Sequence, residues 1–161
     1  MVGYHSPQVE VSVRLNTNES PFPPPAAFAA EVAEFVAALD WNRYPDRSAH
    51  ALRSRLAELL EVPADRVFAA NGSNEVLQTL LLTYAGPGRK VMTFEPTYAL
   101  HSHIATIVGS EVVSLDRNDA FAINLPEALD VITTTQPNVV FLCSPNNPSG
   151  CLLYTSDAAD E

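Results

Sequence analysis

A chain of 161 residues, 47% hydrophobic and 17% charged, has the composition of a globular protein of about one domain. Its formal net charge of −10 argues against a nucleic-acid or anionic-membrane partner. No apolar stretch approaches a membrane span, the first residues lack the pattern of a secretion signal, and Cys143 and Cys151 are too few and too close for a disulfide framework. A cytoplasmic enzyme or enzyme fragment is the expectation, with no nucleic-acid and no membrane partner.

In chain order, residues 1–25 show little periodicity and end in "SPFPPP", whose prolines favour an extended arm. The run 26–39 has strong helix formers with Phe28, Val32, Phe35, Val36 and Leu39 on one face. Pro45 interrupts the pattern, and a second amphipathic helix is expected at about 47–61, closed by Pro63. Short apolar runs then alternate with helical segments. Strands are expected at 66–70, 90–95, 111–115 and 138–143, and helices at about 74–85, 98–108 and 125–135. The run "VVFLC" has no polar alternation, as befits a strand covered on both faces. The alternation indicates an α/β fold with a mostly parallel sheet. No internal repeat is present.

Three loops carry candidate chemistry. In "AANGSNEV", a strand is expected to end at Ala70, and Asn71-Gly72-Ser73 turn into a helix. Backbone N–H groups, the Ser73 hydroxyl and the positive helix end there suit a phosphate. An ordinary helix cap by Ser73 or Asn71 explains this motif about equally well. In "FEPTYALH", Tyr98 follows a strand at the carboxyl edge, where doubly wound sheets bind ligands, and could stack on a planar group or simply pack a helix start. In "CSPNNPSG", two prolines stiffen the turn at Asn146-Asn147, which could present an amide donor or form a plain Asx turn. Three such loops at one sheet edge reinforce one another.

The motifs "LNTNESPFPP", "RYPD", "NGSNE", "EPTY" and "SPNNPSG", in this order and spacing, resemble aminotransferases of pyridoxal-phosphate (PLP) fold type I. The combination is most similar to the histidinol-phosphate aminotransferases of actinobacterial type and covers nearly all of residues 12–150. The resemblance implies the N-terminal part of a fold-type-I large domain, preceded by an arm, with PLP as cofactor. It implies that Ser73, Asn74 and the Glu75 amide cradle the cofactor phosphate, that Tyr98 stacks on the pyridine ring, and that Asn147 bonds its phenolic oxygen. Tyr44 would reach the phosphate of a neighbouring subunit's cofactor, which implies a homodimer. The arm from Asn16 to Glu19, with Asn18 and Glu19, would lie near the substrate, although Ser20 stands where some relatives carry an aromatic residue. The implied reaction passes an amino group between histidinol phosphate and 2-oxoglutarate, yielding glutamate, in histidine synthesis.

The cofactor-anchoring lysine, the aspartate at the pyridine nitrogen and the substrate-binding arginines of the family lie beyond Gly150 in its pattern. No catalytic residue is therefore assigned. Lys90, the single lysine, opens an expected strand, should face solvent, and is no substitute. The segment 151–161, "CLLYTSDAADE", resembles the translation of a transposase-type sequencing adapter and is read as a non-native tail. The expected organisation is thus 1–45 as arm and first helix, 46–150 as the first part of the PLP-binding domain, and 151–161 as tail. Such a fragment is expected to be catalytically dead and to fold poorly alone, with hydrophobic faces left uncovered.

Other features are read plainly. His101 and His103, two apart on a helix, make a poor metal pair, and surface or packing roles are expected. Cys143 is read as a small core residue and Asp116-Arg117-Asn118-Asp119 as a solvated turn. Two alternatives stand beside the main reading. One is another fold-type-I PLP enzyme, such as an aromatic aminotransferase or threonine-phosphate decarboxylase; the other is a catalytically dead cofactor- or phosphate-binding module. A Rossmann-type nucleotide domain would need a G-x-G-x-x-G turn, which "NGSNEV" does not supply.

Overall fold

The computed structural model describes residues 9–14 and 18–153. Asn16, in the expected substrate arm, and residues 154–161 of the expected tail lie outside them. The chain divides between Val67 and Phe68 into two compact units.

In the first unit, α1 (Ala26–Ala37) starts directly after the proline run, with the Ala29 N–H donating to the Pro25 carbonyl at 3.0 Å. The expected apolar stripe is present but uncovered: no residue of α1 is buried, and Phe28 and Phe35 are exposed. The start of α2 (His50–Leu60) is set by Asp46. Its carboxylate accepts the Ser48 hydroxyl at 2.6 Å, the His50 N–H at 2.7 Å and the Ser48 N–H at 2.9 Å. These bonds, the Ser48 hydroxyl first, hold the Asp46 carboxyl below its ordinary pKa. A short 3-10 turn, Ala64–Arg66, follows, and Arg53 ties it down by donating to the carbonyls of Ala64 at 2.8 Å and Val67 at 2.7 Å.

The strand expected at 66–70 does not form as such. Val67 is extended, but no described strand pairs with this stretch. Backbone extension follows from local sequence, whereas a strand needs a neighbour.

In the second unit, α3 (Ser73–Tyr84), β1 (Lys90–Glu95), α4 (Leu100–Ile107), β2 (Glu111–Asp116), α5 (Leu125–Thr135) and β3 (Val139–Val140) follow in order. The strands form one parallel sheet in the order β2-β1-β3, with Val91 opposite Val112 on one side and Val139 on the other. This is the expected α/β architecture. The two strand-helix-strand crossovers run in opposite directions across the sheet. Crossovers of one hand must then place their helices on opposite faces, and α4 and α5 do so.

Alternation along β1 divides the core. Val91 packs with Leu81 of α3, with Ala85 just after it, and with Leu100, Ile104 and Ala105 of α4. Met92 and Phe94 point the other way, to Ala128, Val131 and Ile132 of α5. β3 is shorter than expected, although hydrogen bonds from Asn138 N–H to the Lys90 carbonyl and from Phe141 N–H to the Met92 carbonyl flank it. Its two faces are only partly covered: Val139 and the following Phe141 pack on the α4 side and Val140 on the α5 side, all three half-buried. Leu142, however, is exposed. Among the described residues no helix is long and apolar enough to cross a membrane.

Candidate functional site at the carboxyl edge of the sheet

The turn before α3 is built by Gly72, at φ 81° and ψ 166°, a conformation open essentially to glycine alone. A Cβ at this position would meet nothing within 4 Å, so the turn faces open space. The first intrahelical bond runs from Val76 N–H to the Gly72 carbonyl at 3.4 Å, so the N–H groups of Ser73, Asn74 and Glu75 precede it. No side chain caps this end through Gly72. The Glu75 carboxylate is engaged with the Asn71 N–H at 2.6 Å. What the turn presents outward is therefore backbone donors, the Ser73 hydroxyl and the helix dipole, a set complementary to an anion.

Tyr98 leaves the β1 end half-buried, and its hydroxyl donates to Oδ1 of Asn74 at 3.1 Å. Two of the expected site residues, 24 positions apart, are thus in direct contact. Behind Tyr98 lies His101, buried on α4, with ring centroids 5.6 Å apart and planes at 86°. His101 also stacks on Phe141, with ring centroids 4.6 Å apart and planes at 10°. Its Nδ1 has no hydrogen-bond partner among the described residues. Burial lowers the pKa of this imidazole, opposed by the charge of Glu95. The packing role expected for His101 is the one observed.

The third loop joins the same edge through Asn146 rather than Asn147. Asn146 is 2% exposed, and its amide bonds Thr97, Pro96 and Ser149. Asn147 is half-buried and takes no part in this network. Glu95 completes the β1 end, accepting from the Thr97 N–H at 3.0 Å and the Thr93 hydroxyl at 3.1 Å. The expected residues Ser73, Asn74, Glu75, Tyr98 and Asn147 all belong to this unit, whereas Tyr44, Asn18 and Glu19 belong to the first. There Tyr44 is fully exposed, Asn18 adopts a positive φ of 52°, and Glu19 pairs with Arg14 at 3.3 Å.

The reading of Asp116–Asp119 as a solvated turn is corrected by Arg117, which is 7% exposed. Its guanidinium donates to the carbonyls of Phe94 at 3.1 Å, Phe121 at 3.0 Å and Cys143 at 3.5 Å. Asn118 makes this possible: its side chain accepts the N–H groups of Ala120 and Ala122 and turns the chain back so that the Phe121 carbonyl faces inward. Cys143 is half-buried, with its thiol near the Pro145 carbonyl. Lys90 opens β1 about 17 Å from Glu95 at the strand's other end, beyond which Tyr98 follows. It cannot serve groups at the carboxyl edge.

The chain is 46% identical over 155 residues to a histidinol-phosphate aminotransferase of Corynebacterium diphtheriae, covering 91% of this chain and 42% of that protein. It is 48% identical to a histidinol-phosphate aminotransferase of Rhodococcus jostii, covering 91% and 41%. The chain thus spans about two-fifths of the length of these curated relatives. The fold superposes on the histidinol-phosphate aminotransferase of Sinorhizobium meliloti, solved in complex with pyridoxal-5'-phosphate, with a TM-score of 0.72 at 23% identity, over 82% of this chain and 35% of that one. Residues 10–158 match the family model described as aminotransferase class I and II, and the chain belongs to that family.

Proposed function

We propose that this chain is the cofactor-cradling part of a PLP-dependent histidinol-phosphate aminotransferase, acting on histidinol phosphate and 2-oxoglutarate in the cytoplasm. The observation that carries the reading is the convergence of the Gly72–Glu75 turn, Tyr98 and the 144–151 loop at one sheet edge, in a chain 46% identical to a histidinol-phosphate aminotransferase. The residues fit the cofactor: the open turn beside Gly72 and the unclaimed N–H groups of Ser73 to Glu75 suit a phosphate. Beside them, the half-buried Tyr98 offers an aromatic face.

In this reading Ser73 and Asn74, with the Glu75 amide, bind the phosphate, and their N–H groups need no rearrangement to do so. Tyr98 lies against the pyridine ring and excludes water from that face, with Asn74 fixing its hydroxyl. Asn147 donates its amide to the ring's phenolic oxygen. Bound PLP supplies an electron sink that eases proton removal at the substrate's α-carbon. Asn18 and Glu19 line the substrate side, and the exposed Tyr44 reaches the cofactor phosphate of a second subunit in a homodimer.

The full-length protein carrying these residues, incubated with histidinol phosphate and 2-oxoglutarate, is expected to form glutamate, and to sediment as a dimer. Glutamate formation from an aromatic amino acid but not from histidinol phosphate would overturn the substrate assignment.

A further inference from the structure

The two ligand-facing loops at the carboxyl edge are joined by one side chain. The Thr97 hydroxyl donates to Asn146 Oδ1 at 2.9 Å, while Asn146 Nδ2 donates to the Pro96 carbonyl at 3.0 Å and to Ser149 Oγ at 2.8 Å. The Pro96 carbonyl can only accept, which fixes which end of the amide is nitrogen and leaves the oxygen to Thr97. Asn146 is 2% exposed, so these bonds form away from competing water. The backbone of the same residue closes its own loop, with Gly150 N–H donating to the Asn146 carbonyl at 2.6 Å.

Both ends of this tie sit one residue from a proposed ligand contact. Thr97 precedes Tyr98, and Asn146 precedes Asn147. Thr97 is itself held, through its N–H, by the Glu95 carboxylate at the end of β1. The chain of bonds therefore runs from the central strand through Thr97 and Asn146 into the third loop. A shift of either loop would have to break at least one of these bonds.

We infer that Asn146 is a positioning residue, which sets the spacing between the aromatic face of Tyr98 and the amide of Asn147 and so presents them as one preformed cleft for a flat phosphorylated ring. The inference rests on the cofactor reading above. Asn146 touches no ligand; it acts through its two neighbours. Thr97 is the half of the tie that can be removed most gently, because Thr97→Val keeps the shape and loses only the hydroxyl, and Thr97→Ser restores it.

The test uses the full-length protein that carries this chain with two probes, pyridoxamine 5'-phosphate and inorganic phosphate, together with hydrogen exchange of the two loops. In the unaltered chain, segments 96–101 and 144–151 are expected to be protected. In Thr97→Val and Asn146→Ala, exchange is expected to rise in both segments together, while β1 and β2 stay protected. Affinity for pyridoxamine 5'-phosphate should fall about tenfold, the worth of one or two buried hydrogen bonds, with phosphate affinity changed less than about twofold. Thr97→Ser should recover the unaltered behaviour. Loosening of 96–101 alone, full exchange of both loops in the unaltered chain, or an equal loss for both probes would overturn the inference. Failure of the unaltered chain to bind pyridoxamine 5'-phosphate, with the two loops still coupled in exchange, would instead overturn the cofactor reading and leave Asn146 as the joint between the loops.

Discussion

The Tyr98 hydroxyl donates to the Asn74 side chain across 3.1 Å, joining the end of β1 to the start of α3. The bond is partly solvent-exposed, so Tyr98→Phe should cost less than about 1 kcal/mol of stability, the net worth of a single such bond. The ring would remain. Affinity for pyridoxamine 5'-phosphate should thus change less than about threefold in Tyr98→Phe but fall about tenfold or more in Tyr98→Ala. Equal losses in the two variants, measured by fluorescence titration, would show that the hydroxyl rather than the ring matters.

His101 makes stability depend on pH in a definite direction. Burial lowers its pKa in the folded chain, whereas in the unfolded chain it titrates near its ordinary value of 6.5. As pH falls below that value the unfolded state takes up a proton that the folded state refuses. The contribution is therefore fully present above about pH 6.5 and is lost progressively below it. His101→Phe keeps the stack on Phe141 and removes the unpartnered Nδ1. Its midpoint temperature should fall less steeply than that of the unaltered chain between pH 7.5 and 5.5. Parallel slopes would show that His101 is not the group responsible.

Arg117 should be intolerant of Lys. A lysine has one charged nitrogen, which cannot meet the Phe94, Phe121 and Cys143 carbonyls at once. Arg117→Lys is expected to cost about 2–3 kcal/mol by leaving buried acceptors unpaired. Thermal or urea unfolding checks this, and a loss below about 0.5 kcal/mol, typical of surface substitutions, would restore the solvated reading.

Gly72 should resist every side chain, small ones included. Nothing crowds the position, so any cost comes from the backbone, which at φ 81° and ψ 166° excludes a Cβ. Gly72→Ala and Gly72→Asn should both destabilise by about 1–3 kcal/mol. Asparagine, which is tolerated at ordinary left-handed positions, should give no relief here. A clear advantage of Asn over Ala in denaturant titrations would contradict the observed ψ.

What the sequence made legible follows from how local each signal is. β1 coincides with its expected span because "KVMTFE" is apolar on both faces and bounded by a glycine turn and a proline. α5 likewise begins and ends where its pattern does. The segment 66–70 shows the converse, since its β-type composition is real but its pairing depends on a neighbour. In "SPNNPSG" no local rule says which asparagine turns inward, because the deciding partner, Thr97, lies 49 residues away. Arg117 was hidden by the general exposure of charged residues, its carbonyl partners coming from separate segments.

The division of the core by β1 has a thermodynamic consequence. Leu81 belongs to the cluster on the α4 side and Met92 to the one on the α5 side, and both are fully buried. Each truncated to alanine should cost about 2–5 kcal/mol, and the double variant about the sum, because the two share no packing partner. The strand works as a partition wall. Volume lost, gained or exchanged in one chamber need not be compensated in the other, so the two packings can drift through substitution independently while the edge they jointly support stays in place.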